Sequence, residues 1–314
     1  VISAHPPALE IEQLRKSYGD LHALRGVNFQ LDAGERLAFL GPNGAGKTTL
    51  IRCLAGRTKP TSGKMRLLGR PLTPRHPRMT LGLVPQEIAI YGDLTTKENL
   101  WAFGQLYGLS RKVLRKRVDW ALSWTGLADR ANDLVAGFSG GMKRRVNLAC
   151  GVLHDPRILL LDEPTVGVDP QSRERIFSML DALHAEGTSI LLTTHHLDEA
   201  QQRSDRIVIM DQGSVVADGD FNSLVSKTIG PSRLVRLRLS APITHPLRNV
   251  GTSPLTAGAV GDDLVETRIE DASTQLVHLL QSLSDQGHQV TDVEVQSPSL
   301  HHVFLHLTGH ELRD

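Results

Sequence analysis

The stretch Gly41-Pro-Asn-Gly-Ala-Gly-Lys-Thr48 restricts the fold of this chain more than any other. Gly41, Gly44 and Gly46 permit backbone turns that a side chain forbids, and Lys47-Thr48 follows them at the spacing of a phosphate-binding loop. Such a loop works only between a strand and a helix. Its backbone N–H groups wrap the phosphates, the helix N-terminus adds positive potential, Lys47 brings a point charge to the β- and γ-phosphates, and the Thr48 hydroxyl is offered to Mg²⁺. The flanks meet that requirement: Leu37-Ala-Phe-Leu40 is an apolar run of strand length, and Thr48 onward reads as a helix through Ala55. From Leu9 to Leu68 the pattern is strand, turn, strand, Gly-rich loop, helix, the opening of an α/β nucleotide-binding domain.

A bound nucleotide is not yet a reaction. Ile158-Leu-Leu-Leu161 is a second apolar run, and it ends in Asp162-Glu163. At a strand end beside the phosphate loop, Asp162 is placed to hold Mg²⁺, and Glu163 to orient or deprotonate the water that attacks the γ-phosphorus. A helical pattern follows through Leu183, then a strand at Ser189-Ile-Leu-Leu-Thr193, so the alternation predicts parallel strands joined by crossover helices. Ile207–Met210 and Ser214–Ala217, around Gln212-Gly213, read as a hairpin that closes the unit near Asp220. Between Asp93 and Cys150 strand signals are few, and amphipathic stretches such as Val113 to Leu122 predict a helical insert.

That insert carries Phe138-Ser-Gly-Gly-Met-Lys143 at the start of a helix. By itself Ser-Gly-Gly before a helix is equally a capping turn. As a functional element it is a second anion site, built from a serine hydroxyl, glycine N–H groups and the helix dipole. Placed on the insert, it is not expected to reach the phosphate loop of its own chain, and pairing two chains head to tail solves that geometry.

With these motifs in order, residues 9 to 220 resemble the ATP-binding-cassette (ABC) ATPases. The resemblance implies an α/β P-loop NTPase core of ABC type with an antiparallel β subdomain and a helical subdomain. It implies ATP and Mg²⁺ as cofactors and a role for each matching position. Tyr18 stacks on adenine; Gly41, Pro42, Asn43, Gly44, Ala45, Gly46, Lys47, Thr48 and Thr49 form the Walker A loop. Gln86 touches Mg²⁺ and senses the transport partner, and Ser139, Gly140 and Gly141 are the signature. Asp162 and Glu163 are the Walker B pair, Asp169 crosses the dimer interface, and His195 is the switch on the γ-phosphate. Catalysis then rests on Lys47, Gln86, Glu163 and His195, and the metal on Thr48, Gln86 and Asp162. His196 reads as a surface residue. The family's usual Leu-Ser-Gly-Gly-Gln is altered at both ends, to Phe138 and Met142, which bears on turnover rate rather than on activity itself.

After Gly230-Pro231 a small C-terminal α/β domain begins, with Leu234, Val235, Leu237 and Leu239, a strand at Leu264 to Ile269, a helix near Thr274 to Leu283 and a strand at Gln289 to Val295. The last helix is predicted with Ser297 as N-cap, Pro298 in its first turn, an apolar stripe of Leu300, Val303, Phe304 and Leu307, and Gly309 as its stop. The predicted boundaries are an N-terminal extension 1–8, a nucleotide-binding domain 9–225 with its helical subdomain at about 93–150, and a domain 231–314 that dimerises or regulates. The tail from Ser297 to Asp314 and the Met-bearing signature resemble the daunorubicin-resistance-type exporter ATPases. That resemblance implies drug or other amphiphile efflux through a separate multi-spanning ABC-2 permease. It also implies a homodimer or pseudo-dimer of nucleotide-binding domains at the cytoplasmic face of the bacterial inner membrane. His302, His306 and His310 have a metal-type spacing, but a solvated face opposite the apolar stripe is the stronger reading.

Lys plus Arg number 35 against 34 for Asp plus Glu, so no one-sided field draws the chain to nucleic acid, and no nucleic-acid partner is expected. Cys53 and Cys150 sit in apolar stretches without metal spacing and read as small core residues. No apolar run approaches the ~18 residues of a membrane span, and Val1 to Pro7 lacks the marks of a secretory signal. The competing class is a soluble cassette ATPase acting on a non-membrane partner such as the ribosome. It is disfavoured because the chain has one uninterrupted motif set and no long heptads. A purely regulatory nucleotide binder is disfavoured by the presence of both Glu163 and His195.

Overall fold

The computed structural model describes residues 6–72, 78–243, 256–257 and 263–309. The chain forms two units and passes from one to the other between Asp220 and Phe221. The first opens with β1 (Leu9–Tyr18) and β2 (Leu21–Leu31), followed by β3 (Arg36–Leu40), the phosphate loop and α1 (Lys47–Leu54). Next come β4 (Ser62–Leu67), β5 (Arg70–Pro71) and β6 (Leu81–Val84). The insert holds α2 (Thr96–Leu106), α3 (Arg111–Thr125) and α4 (Gly140–Val152). The unit ends with β7 (Ile158–Asp162), α5 (Pro170–Ala185), β8 (Ser189–Thr194), α6 (Leu197–Arg203), β9 (Arg206–Asp211) and β10 (Ser214–Gly219).

Two sheets organise this unit. One is antiparallel, in the order β2-β1-β4-β5; the other runs β10-β9-β3-β8-β7-β6, with β10 antiparallel to β9 and the remaining pairs parallel. Every residue of β3, β7 and β8 is buried, which is why these strands read as continuous apolar runs rather than as alternating ones. The β9–β10 hairpin turns through Gln212 and Gly213 at φ 44° and 81°, the pair of positive values that a two-residue turn of matching twist requires. Parallel register sets Leu40 beside Thr194 and Asp162 beside Thr193. The carboxyl ends of β3, β7 and β8 therefore lie side by side, where open α/β sheets place their ligands.

The insert is helical, as its amphipathic spacing predicts. Thr95 and Glu98 form a reciprocal capping box at α2, and Gly126 ends α3 in the left-handed conformation. Leu100, Leu114, Val118, Val146, Cys150 and Leu153 form its own apolar core. Cys53 and Cys150 are both buried. Burial pushes the Cys53 thiol up to about 11 and Cys150 higher still. Neither cysteine is expected to react with a thiol reagent at neutral pH until the protein is unfolded; rapid labelling of the native protein would show that these cores open readily.

In the second unit α7 (Phe221–Thr228) precedes β11 (Arg233–Leu239), β12 (Thr256–Ala257), β13 (Leu264–Ile269), α8 (Ala272–Asp285), β14 (Val290–Gln296) and α9 (Leu300–Thr308). The strands form an antiparallel sheet, β12-β13-β11-β14, whose Val235, Leu237 and Val265 pack with Leu279 and Leu283 of α8. Two features differ from the sequence pattern. Helix α7 belongs here, so this unit starts at 221, whereas the sequence pattern ends the first domain at 225 and starts the second at 231. Helix α9 takes Ser299 as its N-cap, not Ser297, because β14 runs to Gln296 and the chain needs 297–299 to turn out of the strand. His302 shares a 2.9 Å hydrogen bond with Ser299, and His310 lies outside the described residues. Among the described residues no helix is long and apolar enough to cross a membrane.

Candidate functional site

Four strand ends, those of β3, β6, β7 and β8, and the start of helix α1 build the site. Gly44 and Gly46 hold φ values of 84° and 103°, which bend the loop after β3 back over the start of α1. Lys47 opens that helix and is almost fully buried; its ammonium donates to the carbonyls of Gly41 at 2.7 Å and Pro42 at 3.2 Å and lies 3.4 Å from Glu163 Oε1. Burial pushes Lys47 below the ordinary lysine range, and Glu163 pulls against that shift.

The acid pair is fixed by a threonine. The Thr193 hydroxyl donates to Asp162 Oδ1 at 2.8 Å and accepts the Glu163 backbone N–H at 3.0 Å. Thr48 donates to the same Asp162 oxygen at 3.2 Å. Burial raises the Asp162 carboxyl above its usual range, and the two hydroxyl donors oppose the shift. Glu163 sits at φ 47°, a left-handed conformation that costs a non-glycine residue about 1–2 kcal/mol, and the Thr193 bonds hold it there. Its other oxygen, Oε2, accepts from Gln86 Nε2 at 3.3 Å and lies 3.3 Å from His195 Nδ1, a contact out of line for a hydrogen bond. Glu163 thus joins Lys47, Gln86 and His195.

A cleft of about 150 Å³ is lined by Pro42 to Thr49, Gln86 and Glu163, and a smaller one of about 90 Å³ by Thr48, Gln86, Asp162 and their neighbours. A cavity of about 740 Å³ beside β4, lined by residues such as Thr58, Lys59 and Met65, carries none of these groups. The hydroxyl of Thr48, the carboxylate of Asp162 and the amide of Gln86 are hard oxygen donors of the kind Mg²⁺ takes in small number, alongside phosphate and water. The cationic loop at a helix N-terminus suits a polyphosphate.

Other predicted residues lie outside the clefts. Ser139 caps α4 by accepting the Met142 N–H at 3.3 Å, and Asp169 caps α5 by accepting the Ser172 N–H at 2.9 Å, a bond that holds its carboxyl below the usual range. These two caps adjoin: a Cβ on Gly141 would fall 2.2 Å from Ser172 Oγ. Ser139, Gly140, Gly141 and Asp169 therefore form a cluster that shares no lining with the Lys47 and Glu163 cleft. Tyr18 ends β1, 45% exposed, with the Lys16 ammonium 4.6 Å from its ring centre. His196 is half-buried rather than on the surface and tilts against His195 at 4.2 Å. Burial lowers its pKa, the nearby Glu199 acting in the opposite sense.

Sequence patterns miss three supporting residues. Thr193 is one; the signal was a pair of hydroxyls ending an otherwise apolar strand. Arg144 donates to the carbonyls of Pro85 at 3.0 Å and Gln86 at 2.7 Å, and Asn147 accepts the Ala89 N–H at 3.2 Å. Both belong to α4, so the helix that opens at Ser139 also holds the backbone of Gln86.

A phosphate loop between strand and helix, with an acid pair ending the parallel strand beside it, defines a P-loop nucleotide hydrolase. Comparison with known proteins narrows the class. The family described as ABC transporter matches residues 24–166. The daunorubicin resistance ATP-binding protein DrrA3 of Streptomyces coeruleorubidus is 36% identical over 98% of this chain and 97% of its own. The Nod factor export ATP-binding protein I of Rhizobium meliloti (strain 1021) is 35% identical over 98% of this chain and 90% of its own. A solved ATP-binding subunit of an ABC transporter superposes with a TM-score of 0.64 at 32% identity, covering 70% of this chain and 92% of that one. The chain belongs to the ABC transporter family of ATP-binding proteins, and it is an ATPase whose hydrolysis is coupled to transport.

Proposed function

We propose that this ATPase powers an exporter of drugs or other amphiphiles, working as a nucleotide-sandwich dimer on a separate multi-spanning permease of the ABC-2 class. The observation that carries the reading is the division of the site: Lys47, Glu163, Gln86 and His195 converge, while Ser139 to Gly141 and Asp169 form a second cluster of their own. One chain holds half of two sites. In a head-to-tail pair, the Ser139 hydroxyl and the N-terminus of α4 of each chain would meet the γ-phosphate bound by the other, and Asp169 would lie at the junction.

Within each half, Lys47 neutralises the β- and γ-phosphates and Glu163 orients the attacking water and takes its proton. His195 contacts the γ-phosphate, and Tyr18 stacks on adenine. Thr48, Asp162 and Gln86 would hold Mg²⁺, which would supply charge neutralisation to the bound polyphosphate. After hydrolysis Ser139 and His195 lose their γ-phosphate contacts, the pair loosens, and the movement is available to the permease. The relatives' names, resistance to daunorubicin and export of Nod factor, support the export direction, and with it a seat for the chain at the cytoplasmic face of the membrane.

Purification from native cells in mild detergent, with mass spectrometry of what accompanies the chain, tests this reading. A stoichiometric multi-spanning protein is expected; ribosomal partners without any membrane protein would overturn export.

A further inference from the structure

Glu199 is a buried carboxylate that the site described above does not use. It lies on α6, and both of its oxygens are 2.9 Å from the Thr165 hydroxyl. Oε2 also accepts from the Thr194 hydroxyl at 3.2 Å, and Arg173 Nε stands 3.4 Å from Oε1. Thr165 follows Glu163 by two positions, and Thr194 immediately precedes His195. While the Thr194 hydroxyl donates to Glu199, it accepts the His196 backbone N–H at 2.9 Å, so one hydroxyl pins the chain on both sides of His195.

We propose that Glu199 is a positioning residue for hydrolysis, a clamp that ties the loop after Glu163 to the turn carrying His195 and thereby sets the 3.3 Å approach of those two side chains. The inference rests on the roles given above to Glu163 and His195. Both threonine hydroxyls donate, so the clamp requires a group that only accepts, and an ionised carboxylate is that group. Arg173 supplies the positive charge that makes a buried carboxylate tolerable. A glutamine of the same shape would turn an N–H₂ donor toward a hydroxyl or the guanidinium, loosening one of the two loops.

The test is ATPase kinetics on the full chain. Glu199→Gln is expected to lower kcat on the order of 10²-fold, the effect of a misplacement near 1 Å, with KM for ATP nearly unchanged. A structural role alone would lower thermal stability without that split. In a His195→Ala background the same change is expected to cause little further loss, because the clamp acts through His195; the full loss in both backgrounds would overturn the proposal. Normal kcat in Glu199→Gln beside a defective His195→Ala would overturn the clamp alone. Normal kcat in His195→Ala would overturn both the clamp and the role of His195. If Glu199→Gln fails to fold, Thr165→Val removes one donor at constant shape and is expected to give the same fall in kcat; unchanged kcat there would again overturn the clamp.

Discussion

Glu163→Gln is expected to bind ATP and yet turn over about 10²- to 10⁴-fold more slowly, the range over which a positioned general base contributes. The substitution keeps the shape of a side chain whose oxygens reach Lys47 on one side and Gln86 and His195 on the other. What it removes is the proton acceptor and the negative charge. Lys47 retains its bonds to the Gly41 and Pro42 carbonyls, so the ammonium stays lodged in the loop and nucleotide affinity survives. Loss of the carboxylate beside it also lessens repulsion of an incoming γ-phosphate, so the ATP-bound pair is expected to form more readily and persist. Steady-state hydrolysis with parallel equilibrium binding and size-exclusion chromatography in ATP measures all three. Turnover within about twofold of the parent, far below any general-base contribution, would remove Glu163 from the chemistry.

The parts of this molecule that were legible in sequence are those where local pattern and global position agree. The phosphate loop, β3, β7, β8 and the β9–β10 hairpin are marked by glycines or unbroken apolar runs, because burial on both faces leaves no room for polar alternation. Strands β4 and β6 carry no such mark: Ser62–Leu67 has one buried residue, and Leu81–Val84 is only four residues long and contains glycine. Of the site, the phosphate and acid motifs announce themselves because their chemistry fixes residue type and spacing. Thr193, Arg144 and Glu199 do not. Each acts on a residue distant in sequence, Thr193 across a parallel strand pair, Arg144 from α4 to Gln86, Glu199 between two loops, and only the fold brings them there. The N-cap of α9 falls two residues beyond the one the pattern predicts for a related reason: Ser297 is as good a cap in sequence, and the length of β14 decides between them.

Gly46→Ala is expected to abolish ATP binding and to destabilise the first unit. Gly46 is the N-cap of α1 at φ 103°, a backbone conformation that L side chains rarely adopt. A Cβ there would fall 2.4 Å from the Ala23 carbonyl oxygen, 3.1 Å from Leu24 Cδ2 and 3.1 Å from Met210 Cε. The side chains could shift, but the oxygen belongs to β2, which is anchored by the Arg25 N–H bond to Gly213 and by its pairing with β1. The loop must therefore move away from β2 and α1 must lose its first turn, taking Lys47 and Thr48 off the phosphates. Conformational strain of about 1–3 kcal/mol and overpacking of similar size together predict a loss on the order of 3 kcal/mol in unfolding free energy. Gly44→Ala separates the two causes, since Gly44 is also at positive φ, 84°, but has no atom within 4 Å of an added Cβ. It is expected to show the strain alone, with weakened but measurable ATP binding and a smaller shift in the denaturation midpoint. Equal damage at both positions would mean that positive φ, rather than the close approach of β2, sets the requirement for glycine in this loop.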